Sequence, residues 1–349
     1  MKISFLAPHL RISGGVRIIL MYAALLSRRG HDVTVYVRSN NSFRRRVANM
    51  FHLGYPKWIG DLHKVKIMRV PYFTDTNFSD AEVTVATTYR TALDIRDFPA
   101  SKGRQFYLLQ HDEGLYHGPR DEVDSAYRLA QKKIVVATWL KDLLKEKYQQ
   151  DAELLINPVE LSQFHKVSRT VKDGTIRILV LAHTYAWKGT KEAVDIVNRL
   201  KKSHPEVRLI LYGVRTPEVE DYVCDEYHYN VPQAELKQLY SNSDIYLCPS
   251  WDEGFGLPSI EAMACGVAVA TYDNGGSRDF AFHEKTALVA PRRDENALLR
   301  ELERSVIDRE LRIRIASEGR SFVSQMATWN EQTKKLEQIF SDSTAQRGA

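Results

Sequence analysis

The sequence has few cysteines and no long apolar run, and each shortage excludes a class of protein. Its three cysteines, Cys224, Cys248 and Cys265, form no C-x-x-C pair and no cluster with histidine. We therefore expect buried free thiols rather than disulfides or a zinc site. No stretch approaches the roughly 18 consecutive apolar residues of a membrane-spanning helix. The apolar run at residues 3–7 stops at Pro8 and is too short for a signal peptide, so we expect a cytoplasmic protein.

Two motifs that indicate other enzyme classes are also missing. No Asp-x-Asp triplet occurs in the chain, so nothing supports a metal ion bridging a diphosphate, and we expect neither a metal nor another cofactor. The first glycine loop offers only Gly14 and Gly15, and the strand after its helix ends without an acidic residue. A nicotinamide dehydrogenase needs both the longer glycine motif and that acid. The net charge of +5 suits anionic partners such as nucleotide phosphates or a lipid surface, and no feature predicts nucleic-acid binding.

The first half of the chain has the pattern of a parallel α/β domain. At 349 residues, 44% of them hydrophobic, the chain is a globular protein for which two domains are favoured. A strand at 2–7, a glycine loop, an amphipathic helix closed by Gly30 and a strand at 33–37 form a βαβ unit. Apolar strands are also predicted at 83–86, 105–110 and 133–137. Together they predict a Rossmann-like domain over residues 1–165.

The same alternation begins again after residue 175. The predicted strands lie at 176–182, 207–213, 244–248 and 267–271, and the predicted helices at 190–203, 233–241 and 258–264. We expect a second Rossmann-like domain over residues 166–326, followed by a last helical segment, 327–349. Parallel sheets bind ligands at the carboxyl ends of their strands. If those ends face each other, the site lies in a cleft between the two domains.

The loop at residues 249–256 carries the densest chemical signal. It follows a buried strand, contains Gly254 and Gly256, and leads into a helix that begins near Pro258. Free backbone N–H groups and a helix N-terminus at one point favour an anion such as a phosphate. Glu253 and Glu261 are two carboxylates that could accept hydrogen bonds from sugar hydroxyls. Alternatively, Glu253 is a solvated loop charge and Glu261 a helix charge favoured by the dipole.

This segment resembles the E-x7-E signature of the retaining family-4 (group 1) glycosyltransferases, which have the GT-B fold. Other segments resemble the family in the same order along nearly the whole chain: Ser13-Gly14-Gly15, residues 155–160 with Phe164, Asp273-Asn274-Gly275-Gly276, and Trp329 with Leu336 and Phe340. The resemblance implies an α/β fold of two Rossmann-like domains, the first on the acceptor side and the second on the donor side. It also implies parallel sheets facing across a cleft and a C-terminal helix that packs back on the first domain.

The resemblance implies that the chain binds a nucleotide-diphosphate sugar. The family's basic pair, written R-x4-K, aligns with His183 and Lys188, so Lys188 would neutralise the leaving diphosphate. Histidine in place of arginine supplies part of a charge or a neutral hydrogen bond. The residues that the resemblance places around the donor are Gly14, Gly15, His183, Lys188, Asn230, Glu253, Gly254, Phe255, Gly256, Leu257 and Glu261.

The resemblance also assigns catalytic and acceptor-side residues. His111 follows a predicted strand and would contact a donor hydroxyl, with Asp112 or Glu113 facing donor or acceptor. Glu253, Lys188 and His111 are then the catalytic candidates, in a transfer with retention of configuration in which the departing diphosphate is stabilised electrostatically. The alternatives are a loop histidine satisfied by local contacts and a solvated lysine.

Other readings of the same fold remain open. A nucleotide-sugar epimerase or a phosphorylase shares the donor pocket, and a non-catalytic nucleotide-sugar-binding protein would explain His183. For a transferase, we expect a glycan or lipid-linked acceptor in cell-envelope polysaccharide or glycolipid synthesis. Basic and aromatic residues at 43–58 suit peripheral contact with an anionic membrane on its cytosolic face, or else form an acceptor-side loop.

Overall fold

The computed structural model describes residues 1–11, 13–38, 61–214 and 222–342 of the chain. The chain divides into two compact units, the first made of Met1–Asn157 with Trp329–Ala349 and the second of Pro158–Thr328. The basic and aromatic segment predicted to contact a membrane, residues 43–58, lies outside the described residues. Within the described ranges, no helix combines the length and the apolar character needed to cross a bilayer.

The first unit is built on a seven-stranded sheet in the order β3-β2-β1-β4-β5-β6-β7. All its pairings are parallel. The strands are β1 (Lys2–Ala7), β2 (Asp32–Arg38), β3 (Lys66–Val70), β4 (Val83–Ala86), β5 (Arg104–Leu109), β6 (Lys132–Val135) and β7 (Ala152–Leu154). The helices are α1 (Gly14–Arg28), α2 (Tyr89–Ile95), α3 (Glu113–Tyr116), α4 (Arg120–Arg128), α5 (Thr138–Tyr148) and, from the end of the chain, α11 (Trp329–Asp342).

Helix α1 shows how local sequence sets an element. Ser13 caps its start, because its side-chain oxygen accepts a hydrogen bond from the Val16 amide at 3.3 Å. Arg28 lies in the last turn, where a positive charge interacts favourably with the negative end of the helix dipole. Gly30 follows with a φ of 93°, which ends the helix without a Cβ penalty. The chain then enters β2, which pairs with β1 over its full length.

The last helix of the chain completes the first unit. Trp329 packs edge-on against Tyr22 of α1, with ring centroids 5.3 Å apart, and Phe340 packs against Phe106 of β5 at 4.9 Å. Glu337 binds Arg29 and His31, each at 2.5 Å. The helix therefore contributes both apolar and charged contacts to the unit that begins the chain.

The second unit is built on a six-stranded parallel sheet in the order β10-β9-β8-β11-β12-β13. Its strands are β8 (Ile176–Leu181), β9 (Val207–Gly213), β10 (Glu226–Tyr229), β11 (Ile245–Cys248), β12 (Ala268–Tyr272) and β13 (Leu288–Ala290). Its helices are α6 (Thr190–Leu200), α7 (Leu236–Ser241), α8 (Leu257–Ala264), α9 (Glu295–Ile307) and α10 (Arg309–Ser324). Apolar residues from the strands and from α6, α9 and α10 form one buried core.

Each sheet has a point where the strand order reverses. In the first unit the reversal lies between β1 and β4, and in the second between β8 and β11. Loops that leave neighbouring strands in opposite directions open a crevice at this point, where ligands of such folds bind. The glycine loop after β1, the lysine loop after β8 and the glutamate loop after β11 all begin at these positions.

The structure adds four strands to the nine that the apolar pattern predicts. They are β3, β7, β10 and β13, and they are the edge strands of the two sheets. An edge strand pairs on one side only, and β3, β7 and β10 are only partly buried, so their sequences need no continuous apolar run. Glu226–Tyr229, for example, is only half-buried along most of its length. Strand β13 is apolar and buried but only three residues long.

Candidate functional site

In the second unit, two loops meet at the carboxyl ends of β8 and β11. The first runs from Ala182 to Gly189 and the second from Pro249 to Gly256. Their strands pair directly, with Ile178 opposite Ile245, so the loops leave the sheet side by side. The Trp251 amide donates a hydrogen bond to the Trp187 carbonyl at 2.9 Å. The two loops are therefore joined through their backbones.

Two glycines make this joint possible. Gly189 has a φ of 69°, and a Cβ there would lie far inside van der Waals contact of the Pro249 carbonyl. Gly256, just before α8, has a φ of 105°, a backbone conformation that residues with a side chain rarely adopt. The sequence requires glycine at these positions because of backbone geometry and close approach.

Lys188 and Glu253 form an ion pair between the two loops. The Lys188 Nζ lies 2.6 Å from the Glu253 Oε1, and their side chains are 18% and 14% exposed. The ammonium also lies over the Trp187 ring, 4.5 Å from its centroid. The Glu253 amide donates to the Asn274 carbonyl at 2.9 Å, which fixes the backbone of the carboxylate. A positive and a negative group thus stand together at the mouth of the crevice.

The second carboxylate of the motif is more deeply placed. Glu261 lies in the second turn of α8 and is 5% exposed. The Tyr240 hydroxyl donates to its Oε2 at 3.3 Å, and Tyr240 is itself 2.8 Å from the Tyr212 hydroxyl. A buried carboxylate with hydroxyl partners is suited to accept further hydrogen bonds from hydroxyl groups.

The segment between the two glutamates brings backbone amides to one place. Gly254, Phe255 and Gly256 are all buried. A Cβ at Gly276 would lie 2.7 Å from the Phe255 backbone, so these two stretches of main chain touch. Leu257 begins α8, and its amide has no acceptor within the helix. Pro258 has no N–H, and the Ser259 amide donates to the Gly256 carbonyl at 3.0 Å. Such a helix start favours an anionic group.

His183 is held as a hydrogen-bond acceptor at one ring nitrogen. The Tyr185 amide donates to its Nδ1 at 3.1 Å, so that nitrogen carries no proton and the ring presents a neutral N–H at Nε2. Asn230 directly follows β10, is exposed, and has a φ of 49°. Both residues therefore lie at the carboxyl edge of the sheet.

In the first unit, Gly14 and Gly15 form the start of α1. The Gln110 side chain donates to the Gly15 carbonyl at 3.2 Å, and a Cβ at Gly15 would meet that amide at 3.4 Å. Neither glycine has a positive φ. Backbone conformation therefore does not require glycine at either position.

The three polar residues that follow β5, at positions 111–113, differ from one another in their surroundings. His111 is half-buried, with its Nδ1 3.0 Å from the Asp112 carbonyl oxygen and its ring 5.3 Å from that of His117. Asp112 is 4% exposed, caps α3, and binds Arg120 through both carboxylate oxygens at 3.2 and 3.1 Å. Its carboxylate is thus engaged by partners within the unit.

Glu113 is engaged in the same way. Its carboxylate accepts from the Tyr89 amide at 2.6 Å and from the Tyr107 hydroxyl, while its own amide donates to the Tyr127 hydroxyl at 2.9 Å. Burial raises the pKa of Glu113 from 4.5 to about 7, and the nearby Asp112 adds to the rise. Asp112 and Glu113, predicted to face donor or acceptor, thus both support the loop that carries His111.

Sequence reasoning did not single out the contacts around Trp251 and Asp252. The Trp251 indole donates to Glu192 at 2.9 Å, and Asp252 is 8% exposed and binds Arg292. The sequence could have drawn attention to Glu192, because this residue lies on the predicted helix that begins just after Lys188. Arg292 had no such signal, because it is 40 residues from Asp252 in the chain.

The structure thus brings Lys188 and Glu253 into contact and sets His183, Glu261 and the 254–257 segment on the same sheet edge. In the first unit it joins Gly15 to Gln110, the residue before His111. No group of three or more histidine, cysteine or acidic residues suited to a metal ion occurs in the part of the chain that the structure describes.

The glutamate and lysine loops lie within a region with a recognised sequence pattern. Residues 162–322 match the family model described as Glycosyl transferases group 1. This region, a little less than half of the chain, is similar to the group 1 glycosyl transferases. The resemblance drawn from the E-x7-E motif is confirmed at this level.

Several curated relatives match part of the chain. A putative glycosyltransferase of Bacillus subtilis, YtcC, is 22% identical over 173 residues, which are 44% of this chain and 42% of that protein. The N,N'-diacetylbacillosaminyl-diphospho-undecaprenol alpha-1,3-N-acetylgalactosaminyltransferase of Campylobacter jejuni is 26% identical over 40% of this chain and 38% of its own length. The chain therefore spans less than half the length of these relatives.

Solved structures share the fold along the whole chain. Sucrose-phosphate synthase from Thermosynechococcus elongatus has a TM-score of 0.80 at 16% identity, covering 99% of both chains. Anabaena HepE, solved in complex with UDP and glucose, has a TM-score of 0.76 at 17% identity, covering 98% of this chain and 100% of that one. The predicted fold class, GT-B with two Rossmann-like domains of parallel strands, is confirmed.

Proposed function

We propose that the protein is a retaining glycosyltransferase that moves a hexosyl or deoxyhexosyl group from a nucleotide-diphosphate sugar to a glycan or lipid-linked acceptor. The observation that carries the proposal is the Lys188–Glu253 pair in the region similar to the group 1 glycosyl transferases, beside the N-terminus of α8 and the buried Glu261. The solved neighbour with UDP and glucose bound supports a nucleotide-sugar donor.

Each group of the second unit has a task in this proposal. Lys188 and the backbone N–H groups near Phe255 and Leu257 stabilise the charge that develops on the departing diphosphate. Glu253 accepts a hydrogen bond from a hydroxyl of the transferred sugar, and Glu261 from the ribose. His183, as a neutral imidazole, donates its Nε2–H to a phosphate oxygen.

In the first unit, the amide of Gly15 approaches the diphosphate, and His111 contacts a hydroxyl of the sugar. The acceptor hydroxyl attacks the anomeric carbon on the face from which the nucleoside diphosphate leaves. The bond from carbon to the diphosphate breaks as the new glycosidic bond forms, and the departing phosphate takes the acceptor's proton. The configuration at the anomeric carbon is thereby retained.

The acceptor belongs to cell-envelope polysaccharide or glycolipid synthesis in this proposal. The Campylobacter relative, whose name includes a diphospho-undecaprenol-linked sugar, supports a lipid-linked acceptor. Such an acceptor calls for a cytoplasmic protein in peripheral contact with an anionic membrane. Transfer needs no metal, so we expect EDTA to leave the rate unchanged.

A thermal-shift screen against UDP, GDP, dTDP, ADP and their sugars tests donor binding, because a ligand that binds the folded state raises its melting temperature. The stabilising donor is then used to assay transfer and slow donor hydrolysis. We expect Glu261→Ala to weaken nucleotide binding, and Glu253→Ala and Lys188→Ala chiefly to lower turnover. Near-wild-type rates for all three would refute the site.

A second candidate is a nucleotide-sugar-binding protein without catalysis. His183 accepts a hydrogen bond at Nδ1 and is therefore a neutral imidazole at a position where the family has an arginine. This difference favours the binding protein. Stabilisation by a nucleotide sugar with neither transfer nor hydrolysis would support this candidate over the transferase.

A further inference from the structure

The two residues before Glu253, Trp251 and Asp252, are held by contacts that donor binding itself does not require. The Trp251 amide donates to the Trp187 carbonyl, one residue before Lys188, at 2.9 Å. Its indole nitrogen donates to the Glu192 carboxylate at 2.9 Å, in the first turn of α6. Trp251 therefore forms hydrogen bonds with a residue before Lys188, Trp187, and with a residue after it, Glu192.

Glu192 is itself held in place. Its other carboxylate oxygen accepts from the Tyr272 hydroxyl at the end of β12. The indole of Trp251 thus binds a carboxylate that is anchored to the sheet. Trp251, which is two residues before Glu253, is thereby tied to the helix that begins just after Lys188.

Arg292 fixes the next residue. Its Nε lies 2.9 Å from the Asp252 Oδ1 and its Nη2 2.7 Å from Oδ2, a bidentate pair with a carboxylate that is largely buried. The same Nε also donates to the Trp251 carbonyl at 3.2 Å. One guanidinium thus holds both the side chain and the main chain just before Glu253.

Arg293 covers the face of the Trp251 ring. Its guanidinium carbon lies 4.0 Å from the ring centroid. Arg293 has a φ of 60°, a left-handed conformation that is unfavourable for a residue with a Cβ. Such strain persists only where the surrounding structure holds it, and here the neighbouring Arg292 pair and the stack on Trp251 do so.

We propose that Arg292 and Arg293 are positioning residues for sugar transfer. Through Asp252 and Trp251 they set the placement of the Glu253 carboxylate against the Lys188 ammonium. In this proposal they act through those two residues and not by contact with the donor or the acceptor. This inference rests on the proposed function, because its consequence is a rate of transfer.

Arg293→Gly separates positioning from stability. Glycine accepts the positive φ without strain, so we expect an unchanged or raised melting temperature. Loss of the stack lets the Trp251 ring shift, and we expect kcat to fall about tenfold while the donor KM changes less than about twofold. Arg293→Lys keeps a cation over the ring and should restore part of kcat.

Gln149→Gly is the matched control. Gln149 also has a left-handed φ, 52°, at the end of α5 in the first unit. We expect the same or a higher melting temperature and unchanged kcat and KM. Arg292→Lys is a further test, since it keeps the charge but loses the bidentate geometry. We expect its kcat to lie between those of the wild type and Arg293→Gly.

Fluorine NMR of protein labelled with 5-fluorotryptophan gives a readout besides activity. The Trp251 resonance is assigned by its loss in Trp251→Phe, and it should move in Arg293→Gly but not in Gln149→Gly. Wild-type kcat in Arg293→Gly, or a Trp251 resonance that stays in place, overturns the inference. If the wild type transfers no sugar from any donor, the proposed function fails separately, and the resonance still decides whether Arg293 places the ring.

Discussion

At the scale of single residues, the pair of Lys188 and Glu253 links charge to geometry. Both side chains are mostly buried and lie 2.6 Å apart. Removing one partner leaves the other charge poorly solvated and without its counter-ion. A substitution that keeps size but removes charge therefore tests both the site and its energetics.

We expect Glu253→Gln to lower kcat about 100-fold, the order seen when one preorganised polar contact to a transition state is lost. The donor KM should change much less, because Glu261 and the backbone N–H groups near Phe255 and Leu257 remain. Steady-state kinetics with the stabilising donor measure both values. Glu295→Gln is the control, since Glu295 also pairs with a cation, Arg199, but at 42% exposure; equal losses in the two variants would contradict the assignment.

Glu113 predicts a pH dependence of stability. Its pKa is raised by burial from 4.5 to about 7 in the folded state. The folded state thus binds more protons than the unfolded state between these values. Glu113 therefore favours folding fully below about pH 4.5, and this contribution is lost as the pH rises through about 7.

Glu113→Gln should remove this dependence. Its side-chain oxygen can still accept from the Tyr89 amide and the Tyr107 hydroxyl, without a charge to bury. We expect its melting temperature to match wild type near pH 5 and to exceed it near pH 8, measured by calorimetry. An equal difference from wild type at both pH values would show that Glu113 does not titrate in this range.

At the scale of elements, the site depends on how the loop after β8 touches the loop after β11. Gly189 permits that contact, since it combines a positive φ with a close approach to the Pro249 carbonyl. A methyl group at this position must push the two loops apart. The Trp251–Trp187 backbone hydrogen bond lies at the same joint.

We therefore expect Gly189→Ala to lower the free energy of unfolding by about 1–3 kcal/mol and to abolish most turnover. Gly174→Ala is a matched control, because Gly174 has a similar φ of 75° but no atom within 4 Å of the added Cβ. It carries the backbone strain alone, about 1 kcal/mol, and should keep wild-type turnover. Similar kinetics for the two variants would mean that the joint does not matter.

At the scale of the whole molecule, the two ends of the chain share one unit. Helix α11 buries Trp329, Leu336 and Phe340 against the first unit, although the second unit lies between them in sequence. Stability of the first unit thus depends on a segment that follows the second unit in sequence. The match to the group 1 family model ends before this helix, at residue 322.

Phe340→Ala tests this dependence. Phe340 is fully buried against Phe106, so its truncation should cost about 3–5 kcal/mol. Hydrogen exchange should show faster opening within Met1–Asn157 and little change within Pro158–Thr328. Ile307→Ala, at a side chain 66% exposed, is the control with an expected change under about 0.5 kcal/mol. Uniform loss of protection in both units would contradict a local role for α11.

The sequence alone was sufficient to predict the interior strands of both sheets and the order of the motifs. Interior parallel strands are buried on both faces, so they read as apolar runs, and glycines and Glu253 stand where those runs end. Three of the edge strands, β3, β7 and β10, were missed because half-burial tolerates polar residues, and β13 was missed because its apolar run is only three residues long. Likewise, the sequence does not show which internal partners bind the carboxylates of Asp112 and Glu113.

Only the tertiary structure decided which side chains meet. The strand order of the second sheet places β8 beside β11, which brings Lys188 to Glu253 although they are 65 positions apart in the sequence. The same register brings Arg292 to Asp252 and the cation of Arg293 to Trp251. Pattern along a chain reports burial and local conformation, whereas a contact between distant residues depends on how the whole sheet is assembled.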